Sequence, residues 1–311
     1  MRIGFFGTPE FAVPSLEALL KAGHEVVVVV SRPNQPAGRH LHLHAPAVAT
    51  FAQRHGLPLR QPERAGADEF FGVFRDLAPE LAVVVAYGKL ISPRLLRVPR
   101  RGFVNVHPSL LPRHRGPSPV AWTIASGDTR AGVTTMLLDE GMDTGPLLLQ
   151  RSVALEPRES AGQLERRLAP EGATLLVDTL ARLAAGDLVP TPQDESLATV
   201  SQKLDRKMGR IDWSLPAPAL ALRCRAFDPW PGLYGTFRGA RIKVHGLEAL
   251  PHGGSDREPG TVLGCVSAGI TVQCGAGTLA LLTELQREGK RRLPADAFLL
   301  GERVAPGERF H

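Results

Sequence analysis

Two rhythms of apolar and polar positions alternate along the first part of this chain. Short, nearly unbroken apolar runs stand at Arg2–Phe6 (RIGFF), Glu25–Val30 (EVVVVV), Leu81–Ala86 (LAVVVA) and Gly102–Val106 (GFVNV). They are too short for independent helices and rich in Val and Phe, the pattern of strands buried on both faces of a parallel sheet. Helical spacing separates them. Phe11, Leu16, Leu19 and Leu20 mark a helix that ends near Lys21 before Gly23, and Ala47–His55 and Ala67–Asp76 predict two more. Leu57–Leu59 reads as an edge strand and Ser118–Ser126 as a helix. Gly132–Leu138 and Leu147–Leu155 read as an antiparallel pair joined by a loop. Ala161–Ala184 carries Leu164, Leu168, Leu175, Leu176, Leu180 and Leu183 at helical spacing and closes a first domain, 1–185. Strands alternating with helices predict an α/β domain with a mostly parallel sheet.

The rhythm changes after residue 185. Gly186, Pro190 and Pro192 break both helix and strand, so 186–205 reads as a linker. A short helix follows through Leu220, Leu222 and Cys224. Five short runs bounded by glycines come next: Tyr234–Phe237, Arg241–His245, Gly260–Val266, Gly269–Cys274 and Thr278–Glu284. They predict a small OB-like β-barrel over 206–311, an architecture that binds single-stranded nucleic acid. Gln286–Arg292 (QREGKRR) is a basic turn before a last helix at Pro294–Leu300.

Composition narrows the classes. At 311 residues and 43% hydrophobic content the chain has room for two packed domains. No apolar run approaches the ~20 residues needed to cross a bilayer. The opening MRIGFFGTPEF reads as strand and turn rather than a basic leader with a cleavage site, so a cytoplasmic location is expected. Cys224, Cys265 and Cys274 are scattered and form no CxxC, which points to small buried hydrophobes rather than a zinc or disulfide framework. Gly4 and Gly7 do not make the G-x-G-x-x-G fingerprint, so a nicotinamide dinucleotide is rejected. The net charge is +6, unevenly spread: residues 1–205 hold 22 Lys and Arg against 21 Asp and Glu, and 206–311 hold 15 against 10. The C-terminal part suits a polyanionic partner, although a solvated basic surface has the same composition.

The candidate chemistry lies in Val104–Gly116 (VNVHPSLLPRHRG). Asn105 and His107 are two apart on a strand, so they share a face, and Pro108 ends the pairing. They therefore stand at a strand's C-terminal end, where open α/β sheets place ligands. The loop Leu138–Pro146 (LDEGMDTGP) carries Asp143, which reaches His107 if the loop folds beside that strand. Amide, imidazole and carboxylate together can stabilise an oxyanion and move a proton. The set contains no protein nucleophile, which favours direct attack of one substrate on another. Asn and His at a strand end also serve as turn formers, and Asp in a Gly-rich loop as a cap. Ser31–Pro46 is a long polar loop with His40, His42 and His44. With no acidic or cysteine neighbour in sequence, these imidazoles read as hydrogen-bonding groups of pH-dependent charge rather than metal ligands.

The ordered wording Asn105-x-His107, Ser109-Leu110-Leu111-Pro112, Arg113-x-Arg115-Gly116 and Asp139-x-Gly141-x-Asp143-x-Gly145-Pro146 resembles the formyltransferase family that uses 10-formyltetrahydrofolate. Ile211-Asp-Trp-Ser214, Arg225-Ala-Phe-Asp-Pro-Trp-Pro231 and Gly289-Lys-Arg-Arg292 resemble the C-terminal domain of its methionyl-tRNA-directed branch. Glycinamide ribonucleotide formyltransferases share only the first domain. The resemblance implies a Rossmann-like catalytic domain followed by a tRNA-binding barrel. It implies formyl transfer to methionyl-initiator tRNA, with 10-formyltetrahydrofolate as cosubstrate and no metal. By the same resemblance Asn105, His107 and Asp143 are catalytic, and Ser109, Leu110, Leu111 and Pro112 line the folate site. Arg39, Lys290, Arg291 and Arg292 are the candidates for contacts to the tRNA, and a monomer without membrane partners is expected. In the polar loop, His40-Leu41-His42 and Ala45-Pro46-Ala47 replace the family's usual lysines and its Ser-containing Pro-x-Pro element, whereas Arg39 is kept. Two other classes remain open at this point: a formyltransferase for a small amine such as a sugar nucleotide, and a non-catalytic RNA-binding protein on the same scaffold.

Overall fold

The structure, a computed structural model, describes residues 1–37, 42–64, 68–251, 253 and 255–311, with the backbone alone for 36, 37, 42 and 43. The chain divides into two compact units. The first comprises 1–119, 130–154 and 165–201, and the second 120–129, 155–164 and 202–311.

In chain order the first unit contains β1 (Arg2–Gly7), α1 (Val13–Lys21), β2 (Glu25–Val30), β3 (Gln35–Ala37), β4 (His42–His44), α2 (Ala47–Arg54), β5 (Leu59–Arg60), α3 (Asp68–Asp76), β6 (Leu81–Val85), α4 (Pro93–Leu96) and β7 (Phe103–His107). After α5 (Pro119–Ala125) come β8 (Arg130–Leu137), β9 (Leu147–Ala154) and the long α6 (Ala161–Ala185), whose residues from 165 onward belong to this unit. Seven strands form one sheet in the order β5-β2-β1-β6-β7-β8-β9. The first four pairings, β5 to β7, are parallel, and β8 and β9 continue the sheet antiparallel. This is the mostly parallel α/β sheet that the alternating pattern predicts. The polar loop differs from the expectation of an unstructured stretch, since β3 and β4 pair antiparallel within it. Pairing those few residues satisfies main-chain donors that a fully irregular loop would leave to water.

The centre of the sheet is dry because β6 is apolar along its length, and β1 and β2 are uncharged and buried beyond the charged residues that open them, Arg2 and Glu25. One face packs an aromatic cluster. Phe6 meets Phe74 edge-on with ring centres 5.4 Å apart, and Tyr87 likewise at 5.5 Å. Gly4 has no side chain for a steric reason: a Cβ there would lie 2.7 Å from a Phe74 ring carbon. That glycine serves the packing of α3 on the sheet.

The second unit is built on α7 (Ala217–Ala226) and the strands β10 (Leu233–Phe237), β11 (Ala240–Leu250), β12 (Val262–Val266), β13 (Gly269–Gln273), β14 (Leu279–Arg287) and β15 (Leu293–Pro294), followed by α8 (Ala295–Gly301). The strands run antiparallel in the order β10-β11-β14-β13-β12, with β15 added on β14. This separate six-stranded sheet is consistent with a small barrel-like domain. The sequence reading has five strands; Leu293–Pro294 is too short to carry a period of its own. Leu220 and Cys224 of α7 are buried, the Cys224 thiol against Val244 of β11. Burial pushes the Cys224 and Cys274 thiols up to about 12, so both behave as the small hydrophobes expected from their scatter. Residues 120–129 and 155–164 belong to this unit through contacts such as Trp122 Nε1 donating to the Gln202 carbonyl at 2.8 Å and Gly162 N–H to that of Asp228 at 3.0 Å.

Candidate active site

Strand β7 ends the parallel part of the sheet, flanked by β6 and β8. Asn105 pairs across to Val84 and Met136, and His107 sits opposite Thr134. Their main chains are thus fixed by sheet bonds, and the two side chains share one face at the strand's C-terminal end. Both are buried, Asn105 to 8% exposure and His107 to 4%.

The loop between β8 and β9 brings Asp143 to the same place. Asn105 Nδ2 lies 3.4 Å from Asp143 Oδ1, and His107 Nδ1 3.6 Å from Asp143 Oδ2. The structure therefore brings Asn105, His107 and Asp143 together. Local chemistry shapes the loop. Asp139 accepts from Gly141 N–H at 3.0 Å and from Thr144 Oγ1 at 2.8 Å. Gly145 is buried where any Cβ would lie 1.9 Å from the Leu137 carbonyl oxygen, so only glycine fits that close approach. Asp143 itself is in the left-handed region at φ 56°, which Asp tolerates better than most residues.

Each member of the constellation has a defined electrostatic setting. His107 Nε2 donates to the His114 carbonyl at 3.0 Å. A carbonyl can only accept, so Nε2 carries the proton of the neutral ring. The tautomer is set by that main-chain bond and not by Asp143, which lies beyond normal hydrogen-bond distance. Burial pushes the His107 imidazole below its ordinary value, whereas the Asp143 carboxylate pushes it up. Asp143 Oδ2 accepts from Gly116 N–H at 2.8 Å, which ties the carboxylate to the segment that follows the Ser109–Pro112 turn.

That turn is tightly bonded within the fold. Ser109 Oγ donates to the Arg113 carbonyl at 2.7 Å, and the Ser109 carbonyl accepts from Thr134 Oγ1 at 2.7 Å. Leu111 is buried, with its carbonyl accepting from Gln150 Nε2 at 2.8 Å, and Leu110 packs over Gly132 of β8. The Leu111–Pro112 peptide is cis. The Ser109 hydroxyl is thus turned inward and engaged within the fold.

Other residues escape a reading of the sequence. Buried Arg115 makes a two-pronged ion pair with Glu195, at 2.9 and 2.7 Å, which raises its already high pKa. Gln193 lies between Arg115 and the Asp143 loop. Arg115 is visible in the motif, but Gln193 and Glu195 sit in a Pro-containing polar stretch with no periodicity to mark them.

The candidate tRNA residues stand elsewhere. Lys290, Arg291 and Arg292 are exposed in the turn between β14 and β15. Arg292 is forked onto Glu284 with both bonds at 2.5 Å, while Lys290 and Arg291 make no such pair among the described residues. Arg39 and His40 lie outside the described residues, and only the backbone of His42 is described.

The formyl transferase family model matches residues 1–180, and the model for the formyl transferase C-terminal domain matches 203–303. The methionyl-tRNA formyltransferase of Citrifermentans bemidjiense is 43% identical over 99% of this chain and 95% of its own length. That of Chloroflexus aurantiacus is 46% identical over 97% of each. Among solved structures, WlaRD, a sugar 3N-formyl transferase seen with dTDP and 5-N-formyl-THF, superposes with a TM-score of 0.66 at 14% identity, covering 94% of this chain and 99% of its own. HypX from Aquifex aeolicus in complex with tetrahydrofolic acid gives 0.62 at 19% identity over 96% of this chain and 47% of its own. These likenesses concern the fold alone. The two family models and the identity along nearly the whole length carry the decision: the chain belongs to the methionyl-tRNA formyltransferases.

Proposed function

We propose that Asn105, His107 and Asp143 carry the family's reaction in this chain, the transfer of a formyl group from 10-formyltetrahydrofolate to the α-amine of methionyl-initiator tRNA. The observation that supports this most is the convergence of an amide, an imidazole and a carboxylate within 3.4–3.6 Å at the end of β7. The folate supplies a formyl carbon; the amine forms a bond to it as the bond to the folate nitrogen breaks, and a proton leaves the amine while one reaches that nitrogen.

The residues divide this work. Among the described residues Asn105 Nδ2 makes one long contact, 3.4 Å to Asp143, so its amide retains donor capacity for the formyl oxygen as negative charge develops there. Such a donor in a dry site is worth roughly 2.7–4 kcal/mol of transition-state stabilisation. Burial depresses the His107 imidazole below its ordinary value although the Asp143 carboxylate pulls the other way, so the resting ring is neutral and Asp143 favours the charged ring when a proton arrives. A second proton on Nδ1 would face Asp143 Oδ2. Ser109 turns its hydroxyl away from this work, in line with direct attack by the amine.

The finer assignments follow from the same reading. Ser109, Leu110, Leu111 and Pro112 form a wall for the folate. Lys290 and Arg291, with Arg292 held by Glu284, meet tRNA phosphates, which position the nucleic acid without specifying it. Arg39 does the same in the polar loop. Residues 1–185 carry the chemistry together with 186–201, which pack into the same unit rather than forming a free linker, and 206–311 meet the tRNA, in a protein acting as a cytoplasmic monomer. The experiment is labelled formyl transfer to methionyl-tRNA by Asn105→Ala, His107→Ala and Asp143→Ala. Each variant loses most of kcat while folded, and the double variants lose much less than the product of the single losses, because the groups act as a unit. A folded His107→Ala with parental turnover at saturating substrates would remove the assignment.

A further inference from the structure

Asp143 holds an unusual main-chain conformation in an exposed loop, and its own side chain is not what closes that loop from the other side. Gln193 does so. Its Nε2 donates to the Asp143 carbonyl at 2.8 Å and to the Gly145 carbonyl at 2.7 Å, using both amide hydrogens. Its Oε1 accepts from Arg115 Nε at 3.0 Å and Nη2 at 2.9 Å. The orientation of the amide has one solution: turned over, it would set NH2 against a guanidinium and oxygen against two carbonyls.

The segment bearing Gln193 is stitched down on both sides. Thr191 and Leu147 exchange main-chain bonds at 2.7 and 2.9 Å, Arg115 N–H donates to the Thr199 carbonyl at 2.9 Å, and Ser201 N–H donates to the Arg115 carbonyl at 2.7 Å. Glu195 fixes Arg115 from the same segment. The amide is therefore pre-oriented by sheet-like pairing and by a charged neighbour. It grips two carbonyls flanking Thr144, next to the residue that faces His107.

We propose that Gln193 is a positioning residue for formyl transfer, its amide holding the Asp143 loop so that the carboxylate stays against His107 and Gly116; this rests on the assignment of Asp143 and His107 to the reaction. Gln193 touches no reacting atom and acts through the loop. A carboxylate displaced by about 1 Å can cost up to 100-fold in rate.

Two variants separate the roles of the two ends of the amide. Gln193→Glu keeps the acceptor for Arg115 but sets a carboxylate oxygen against two carbonyls, so it loses the grip on the loop. Gln193→Ala loses both ends without adding charge and carries the test where Gln193→Glu does not fold. Asp143→Asn is the reference. The readouts are kcat and KM for methionyl-tRNA, and the titration of the His107 imidazole by nitrogen-15 NMR in the folded protein. The groups facing that ring are Asp143 and His114. With Asp143 drawn back, His107 titrates at lower pH than in the parent, kcat falls by roughly 10- to 100-fold, and KM moves far less. A purely structural glutamine would lower the urea midpoint and leave the His107 titration in place. Loss of kcat in Asp143→Asn together with parental kcat and parental His107 titration in the Gln193 variants overturns the positioning role alone. Parental kcat in Asp143→Asn removes the assignment beneath it, and the proposal falls with it.

Discussion

Removing the amide at position 105 tests the chemistry most directly. Asn105→Ala deletes a side chain whose one hydrogen bond among the described residues is long, 3.4 Å to Asp143, and leaves the main-chain pairing of β7 with β6 and β8 in place. The stability cost of losing that bond is about 1 kcal/mol or less. The cost to the transition state is larger, about 2.7–4 kcal/mol or 100- to 1,000-fold in kcat, because a buried donor aimed at a developing oxyanion has no solvent substitute. Asn105→Asp is close in shape and opposite in effect: it sets a second carboxylate about 3.4 Å from Asp143 Oδ1. Two like charges at that separation repel by about 1 kcal/mol in a water-like medium and by about 4 kcal/mol or more at an effective dielectric of 20. At neutral pH this variant is therefore at least as impaired as Asn105→Ala. As pH falls, one carboxylate of the pair takes a proton, the repulsion goes, and a protonated acid can donate to the oxyanion. Single-turnover formylation of methionyl-tRNA with excess enzyme reads this out as the ratio of the two variants' rates at each pH, which cancels titration of the substrate amine. The ratio of Asn105→Asp to Asn105→Ala rises towards acid. If folded Asn105→Ala keeps kcat within about threefold of the parent, well under 1 kcal/mol, the oxyanion role is refuted.

Three further outcomes are expected. Gly145→Ala places a Cβ 1.9 Å from the Leu137 carbonyl, so it lowers stability by about 1–3 kcal/mol and lowers kcat as the Asp143 loop shifts; urea unfolding and turnover measure the two together. Burial, aided at His24 by the N-terminal charge, depresses His24 and His107 in the folded state below the unfolded value of about 6.5. The folded protein thus binds fewer protons than the unfolded chain, and the stability present above pH 6.5 is lost as pH falls through the folded-state values; urea midpoints between about pH 8 and 5 follow this, and His24→Gln with His107→Gln flattens the trend. Lys290→Ala and Arg291→Ala each weaken tRNA binding and reduce its salt slope by about one contact, whereas Arg292→Ala does less because Glu284 already engages that guanidinium. Filter binding over a salt series decides this, and equal slopes in all three variants would count against the basic turn.

Much of the architecture was legible because its causes are local. Apolar runs of strand length, separated by helical spacing, specify a buried parallel sheet through periodicity alone, and Asn105 and His107 share a face because a strand alternates its side chains. The glycines and proline around Asp143 likewise mark a tight loop. What periodicity cannot carry is the meeting of segments far apart in sequence. Only the fold brings Asp143 against β7, gives the His107 tautomer to the His114 carbonyl, and turns the Ser109 hydroxyl inward. The stretch 186–205 shows the limit most clearly. Its prolines and polar residues read as a linker, yet 186–201 belong to the first unit, and Gln193 there grips the Asp143 loop from 50 residues away. Hydrogen bonds from an irregular segment leave no repeat in the sequence, since each depends on one amide meeting particular carbonyls once everything between them has packed.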